Sequence, residues 1–414
     1  MMGLFVRGGG RRVESVRREW KYFDITVVVV LALLAVYACL AIHAATAGNH
    51  SANIPSHVMS KQIAYEVLGF VALFAGALMD YRWLRKVHWW LWGISCVLLV
   101  AVFGFPATMG AHSWISFHSF SFQPSELAKV AIVVWLAKYM ADVEEAEVPD
   151  YRLRKQWIFL PIVLVPFALT FKEPALGQAL VMIAIFLTMY SVFARRGPYA
   201  VLMLFVLGVI ALGVLATTVF TKQTLAFVDV LMKHHILKGY QAYRILTWVD
   251  PNFSQDKYGY NIHMAQTAIG SGELFGEGYG KGVLTSGGWV PNQWTDYIFS
   301  AIGEEFGFVG SAILVLLFLI LCHRLIRIAQ TTTDPFGMYI AVGIVGMFAF
   351  QVFENIGADM YMSPSTGITL PFISYGGTSL LVNYFAVGIV LSVGLRRRRA
   401  RLQAQFETSK GRLA

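Results

Sequence analysis

The chain has 414 residues, 57% of them hydrophobic and 14% charged, with a formal net charge of +9. Soluble domains carry about a quarter of their residues as charges, so an ordinary water-soluble fold is excluded. The basic excess sits beside apolar runs, where it attracts anionic lipid headgroups and fixes topology, so nucleic acid is not an expected partner.

Runs of about 20 apolar residues can cross a hydrocarbon core roughly 30 Å thick. Such runs lie near 24–46, 62–79, 88–106, 124–141, 157–171, 175–194, 198–221, 297–322, 336–358 and 370–395. The fifth is short, and glycines interrupt the last. Backbone polar groups in lipid must pair within the segment, which makes each span a helix. The expected fold is therefore all-α, a polytopic membrane protein of about ten transmembrane helices. Residues 1–414 read as a single membrane domain, with tails at 1–23 and 396–414 and one large outer loop at 222–296.

Orientation follows from Lys and Arg in the short loops. Arg7, Arg11, Arg12, Arg17, Arg18 and Lys21 precede the first span. Arg82, Arg85 and Lys86, then Arg152, Arg154 and Lys155, Arg195 and Arg196, Arg324 and Arg327, and finally the arginines at 396–399 fall on the same side. The positive-inside rule makes that side, and both termini, cytoplasmic. The 107–123 loop holds no Lys or Arg, as an outer loop should. No signal-peptide cleavage site is apparent after the first apolar run. Cys39, Cys96 and Cys322 fall inside expected spans and have neither disulfide nor metal-ligand spacing.

The candidate functional residues gather at the outer ends of the spans. Trp114 reads either as an interfacial anchor or as a stacking surface for a sugar or acyl chain. Glu126 and Lys129 are three residues apart behind Pro124 and share a helix face. They form either a capping pair or a cavity-facing pair for an anionic substrate group. Lys129 lies a full turn inside, where an unpaired ammonium is costly. Glu173 sits in the tight turn between the fifth and sixth spans, either solvated or functional. Residues 222–238 mix Leu225, Phe227, Val230, Leu231 and Ile236 with Lys233, His234 and His235, as an amphipathic helix in the outer interface does. Arg244 and Lys281 are placed to bind phosphate oxygens or merely to snorkel. Gly276, Gly278, Gly280 and Gly282 mark a glycine-rich stretch.

Asp296 stands at the mouth of the eighth span. A carboxylate there is costly unless paired, solvated or used. It suits a general base, and it also suits a helix N-terminus. Glu304 lies some 80° round the helix from Asp296, close enough in projection to face the same cleft. The last region, 364–379, holds two prolines and three glycines among apolar residues. It reads either as a broken helix lining a cavity or as a plain helix entry. Ser374 and Tyr375 would there contact a polar headgroup.

Several of these stretches resemble one family. Leu370-Pro371-Phe372-Ile373-Ser374-Tyr375-Gly376-Gly377-Thr378-Ser379 is similar to the C-terminal signature of the SEDS proteins (shape, elongation, division and sporulation). Gly110-Ala111, Trp114-Ile115 and Phe122-Gln123-Pro124-Ser125-Glu126-Leu127-Ala128-Lys129 resemble its third-to-fourth-span signature. Gly259-Tyr260-Asn261, Ile269-Gly270-Ser271-Gly272 and Gly280-Lys281-Gly282 match its outer loop. Thr295-Asp296-Tyr297-Ile298-Phe299 and Gly303-Glu304-Glu305-Phe306-Gly307 match its catalytic segment. The likeness spans nearly the whole chain and is greatest to the cell-elongation branch. One departure stands out. Members usually carry Gln-Pro-Asp-Leu-Gly-Thr after the fifth span, whereas this chain has Glu173-Pro174-Ala175-Leu176-Gly177-Gln178.

The resemblance implies a peptidoglycan glycosyltransferase that polymerises lipid II outside the cytoplasmic membrane, working with a class B penicillin-binding protein. It implies that Asp296 is the essential acid, acting as base in an inverting transfer. Lys129, Arg244 and Lys281 would neutralise pyrophosphate, with or without a divalent cation (Mg²⁺ or Mn²⁺) that the sequence does not derive. The competing readings are a lipid II flippase and a non-catalytic scaffold. A flippase needs a polar path between leaflets, whereas these candidates cluster at one face.

Overall fold

The computed structural model describes residues 23–47, 57–106, 113–117, 120–146, 159–173, 175–193, 221–234, 239–250 and 259–411. The chain runs α1 (Ile25–Ala47), α2 (Val58–Leu78), α3 (Leu84–Ala101), a hairpin of β1 (Ile115–Phe117) and β2 (Phe120–Phe122), then α4 (Pro124–Glu145), α5 (Phe159–Lys172) and α6 (Leu176–Phe193). It continues with α7 (Thr221–Lys233), α8 (Gly239–Val249), α9 (Tyr260–Ser271), the single turn α10 (Val283–Ser286), α11 (Ile298–Thr331), α12 (Pro335–Asp359) and α13 (Gly377–Gly411). Among the described residues, seven helices are long and apolar enough to cross a membrane. The protein is a polytopic all-α membrane protein. Seven of the expected spans fall on these helices, the fourth falls on α4 and the fifth on the shorter apolar helix α5, and the seventh, near 198–221, lies almost wholly outside the described residues. So do the basic clusters at 7–21, 152–155 and 195–196.

One apolar core runs from Val27 in α1 to Val393 in α13. α4 is its axis. From Pro124 to Ala137 all but Leu127 are buried, because neighbouring helices cover the helix on every side. Trp135 anchors it, with the Trp89 ring edge-on at 4.7 Å between centroids. At one end of the bundle, Asp24 ahead of α1 meets Arg324 of α11 at 2.7 Å. α2 and α13 approach so closely that only small residues fit between them. A methyl group on Gly76 would lie 2.8 Å from the Phe385 carbonyl, and one on Gly388 would run into the Leu73 carbonyl. Close backbone approach over small residues is how membrane helices gain packing contacts.

Two departures from regular helix shape the site. α11 breaks at Gly307, which takes φ 63° and ψ −162°. The glycine-rich loop packs into the break. The freed amides of Phe308 and Val309 donate to the carbonyls of Glu273 and Leu274, at 2.9 and 3.0 Å. α13 begins at Gly377, later than the expected 370, because residues 362–376 are not helical. This stretch is buried at Ile368, Leu370, Phe372 and Ile373, as a broken segment inside the protein must be. Phe372 holds φ 63°, in the left-handed region. In the 222–296 stretch, the expected single helix over 222–238 is α7, and α8 packs on it through Val228, Ala242 and Leu246. Residues 235–238 lie outside the described residues.

Gly388→Val would force α2 and α13 apart. Overpacking of this kind costs about 1–3 kcal/mol. We expect a lower thermal unfolding midpoint in detergent for Gly388→Val, with little change for a substitution at Gly93, where no neighbour lies within 4 Å of an added methyl.

Candidate active site

The segment just before α11 is held from three directions. The Trp294 carbonyl accepts from the Tyr375 amide at 2.9 Å. The Thr295 carbonyl accepts from Ser374 Oγ at 2.6 Å, and the Asp296 carbonyl from Asn355 Nδ2 at 2.7 Å. Asn355 Nδ2 also donates to the Ile368 carbonyl at 2.8 Å. Three successive carbonyls are thus fixed by donors from α12 and from the non-helical 362–376 stretch. The backbone under Asp296 cannot turn without breaking them.

The side chain of Asp296 is half-buried beside Gly367. Gly367 has φ 72°, which glycine adopts at no steric cost. A methyl group there would lie 3.0 Å from Nη1 of Arg244 and 3.2 Å from Oδ2 of Asp296. The guanidinium and the carboxylate therefore share one seat. Arg244 is carried by α8, which the Tyr361 hydroxyl ties to the site by donating to the Thr247 carbonyl. Burial pushes the Asp296 carboxyl above the ordinary aspartate range, and Arg244 pulls it part of the way back. Tyr297, next in sequence, pairs its hydroxyl with Ser365 Oγ at 2.9 Å.

A second polar cluster lies on α4 and α6. Lys129 Nζ meets Glu126 Oε1 at 2.9 Å, with both side chains fully buried. Gln178 Nε2 donates to the same oxygen at 3.0 Å. A buried ion pair needs such extra hydrogen bonds to offset its desolvation. Beside it, Glu173 is fully buried in the turn, and its carbonyl accepts from Ser113 Oγ at 3.2 Å. Among the described residues, Ser125 Oγ, Glu126 Oε2, both Glu173 carboxyl oxygens and Gln178 Oε1 are buried without a protein partner. Buried polar atoms are normally paired, so these oxygens have hydrogen-bonding capacity left. The α4–α6 cluster adjoins the Asp296 seat. A methyl group on Gly177 would lie 2.7 Å from Thr366 Oγ1, one residue from Gly367. Thr366 Oγ1 in turn donates to Glu354 Oε1 at 2.7 Å.

The remaining candidates lie elsewhere. Glu304 holds the loop: its carboxylate accepts from the amides of Leu284 and Thr285 at 2.7 and 2.9 Å and from Thr285 Oγ1 at 2.5 Å. Helical projection put it towards the Asp296 cleft, but the loop packed against α11 takes up that face. Glu305 does the same for Gly280, whose amide lies 2.9 Å away. Lys281 is exposed on this loop. Trp114 is half-buried next to Ser113, while Gly110 and Ala111 lie outside the described residues. The Ser374 hydroxyl is committed to backbone, accepting from the Leu370 amide at 2.8 Å while donating to Thr295. The Tyr375 ring packs on Tyr65, with centroids 6.1 Å apart. Sequence reasoning passed over Asn355, Asp359 and Glu354. Their signal was present as polar residues recurring at helical spacing inside an expected span.

The profile of the FtsW/RodA/SpoVE family, described as "Cell cycle protein", matches residues 24–399. This chain belongs to that family. It is 31% identical over 389 residues to the probable peptidoglycan glycosyltransferase FtsW of Geobacter metallireducens, across 92% of this chain and 97% of that protein. It is 30% identical over 430 residues to the peptidoglycan glycosyltransferase RodA of Treponema pallidum, across 91% and 98%. Those identities do not separate the division branch from the elongation branch. Among solved structures it resembles a chain of a peptidoglycan synthase complex that coordinates polymerization and crosslinking, with TM-score 0.69 and 27% identity over 91% of this chain and 98% of that one. Ala175 puts no carboxylate in the α5–α6 turn, where Glu173 is a buried acid.

Glu173 gives a pH test. Burial pushes its carboxyl from 4.5 up to about 8, so the folded state holds a proton that the unfolded chain releases. Its contribution to stability is full below the unfolded value and is lost as pH rises through the folded one. We expect the thermal midpoint of the wild type to fall between pH 4.5 and about 8, and that fall to be smaller in Glu173→Gln. An equal fall in both proteins would mean that Glu173 is ionised in the fold.

Proposed function

We propose that this protein is a peptidoglycan glycosyltransferase that polymerises lipid II at the outer face of the cytoplasmic membrane. The observation that carries the reading is the seat at Gly367, where a reachable carboxylate and a guanidinium lie side by side. The names of its relatives support the reaction class.

Asp296 acts as general base. It takes the proton of the acceptor GlcNAc 4-hydroxyl as that oxygen attacks the donor anomeric carbon. The new glycosidic bond forms on the face opposite the leaving group, and the bond from carbon to phosphate oxygen breaks. Undecaprenyl pyrophosphate departs with its electron pair. The raised carboxyl of Asp296 makes it a better base than an ordinary aspartate. Pyrophosphate is a good leaving group and needs little acid catalysis. Arg244 would neutralise it at the seat, Lys129 from the α4–α6 cluster and Lys281 from the loop. Glu126, Gln178 and Glu173, with unpartnered oxygens, would receive the polar head, with Trp114 beside them. A divalent cation would add charge neutralisation. Among the described residues no three metal-ligating side chains converge, so it would be held with pyrophosphate oxygens. A class B penicillin-binding protein is the proposed partner, supported by the likeness to a synthase complex.

Both termini are proposed to be cytoplasmic, with the Lys281 loop outside. In a protein lacking its native cysteines, a cysteine at 281 should react with an impermeant thiol reagent in intact cells, and one at 85 should not. The reverse pattern would overturn the orientation and the mechanism with it.

Asp296→Asn keeps size and hydrogen bonding but cannot accept the proton. General-base catalysis is worth about 10²–10⁴-fold, and we expect a loss of polymer formation in that range. Lipid II binding by the same preparation should be unchanged. Wild-type polymer yield from Asp296→Asn would remove the catalytic assignment.

A further inference from the structure

The last turn of α12 holds an arrangement that the proposed chemistry does not itself require. Asn355 is 2% exposed and Asp359 fully buried, and they lie four residues apart on one face. Asp359 is badly placed for a carboxyl in three ways. It is enclosed in an apolar bundle, where ionisable groups are costly. It ends a helix, where the macrodipole disfavours an anion. It also lies within electrostatic reach of Asp296.

What Asp359 touches gives the reason. Its Oδ2 accepts from the Ser300 amide at 3.2 Å. Ser300 belongs to the first turn of α11, and its amide is shared between the Asp359 carboxyl and the Tyr297 carbonyl, the latter at 3.0 Å. Four residues earlier on each element, Asn355 Nδ2 donates to the Asp296 carbonyl. A donor and an acceptor spaced i, i+4 on α12 thus meet a carbonyl and an amide spaced i, i+4 on the segment from 296 to 300. The polarity is matched at both points. Asn355 also reaches the Ile368 carbonyl, beside the Gly367 seat.

We infer that Asn355 and Asp359 form a two-point clamp that aims the Asp296 side chain at the Gly367 seat. Both are positioning residues for the proposed glycosyl transfer, and in that respect the inference rests on the functional reading above. Asp359 acts through its acceptor oxygen and not through charge. Two carboxyls this close do not both hold a charge without cost, and Arg244 favours the charge on Asp296. Asn355 is needed as a donor. A carboxylate at 355 would set oxygen against two carbonyl oxygens.

Two measurements on the full-length protein test the clamp. The first is amide hydrogen exchange at Ser300. Asp359→Leu should lose the protection that the wild type shows, and Asp359→Asn, which keeps an acceptor oxygen, should retain it. The second is lipid II polymerisation resolved into kcat and KM. Misplacing a reacting group by about 1 Å can cost on the order of 10²-fold. We expect Asp359→Leu and Asn355→Asp to lower kcat towards that extent with KM unchanged, and Asp359→Asn to recover most of it. Protection at Ser300 as high in Asp359→Leu as in the wild type would overturn the clamp, because the bond to the Tyr297 carbonyl survives that substitution. So would kcat as low in Asp359→Asn as in Asp359→Leu, since charge would then be what matters. If the wild type made no polymer, the functional reading would fail, and the exchange result would still decide the clamp.

Discussion

The carbonyls of Trp294, Thr295 and Asp296 must each find a donor, because a buried carbonyl left unpaired costs about 1–3 kcal/mol. In water such a segment would be satisfied by solvent from any direction. Here the donors are the Tyr375 amide, the Ser374 hydroxyl and the Asn355 amide group. That requirement links α11, α12 and the non-helical 362–376 stretch into one assembly. It also explains why that stretch is not a helix. Its backbone and hydroxyl groups are used outward, to hold its neighbour, instead of inward along a helix axis.

The same logic organises the glycine-rich loop. Glu304 and Glu305 look like membrane-embedded carboxylates awaiting a role. Both Glu304 oxygens and Oε2 of Glu305 accept from loop amides, and the break at Gly307 lets the loop reach them. The glycines are there for close approach: a methyl group on Gly282 would lie 3.0 Å from the Glu304 carboxyl carbon. α11 is thereby fastened at both ends of its buried half. The residue that begins this rigid stretch is the one that needs a fixed direction, Asp296.

A division of labour follows between paired and unpaired polar groups. Glu304, Ser374 and Asn355 have donors or acceptors within the protein and serve the architecture. Asp296 is half-buried over its glycine seat, and Glu173 is buried without a protein partner. Those are groups with capacity left for a substrate. Glu126 lies between the two classes, with one oxygen holding Lys129 and Gln178 and the other unpartnered.

The apolar runs by themselves determined the membrane class, the all-α fold and the helices α1–α6 and α11–α13, because a backbone in lipid has no other way to pair its polar groups. They also marked Asp296, since a carboxylate at the mouth of a span is conspicuous against so few charges. The motif residues carried the family. Tertiary structure alone decided which polar residues work together. Glu304 is near Asp296 on a helical wheel, yet loop residues 19 and 20 positions upstream capture it. Asn355 and Asp359 are about sixty residues from the segment they grip, and Arg244 is some fifty from Asp296. No local periodicity encodes such pairings. They depend on where α8, α11, α12 and the 362–376 stretch come to rest against one another, and that is set by packing over the whole core.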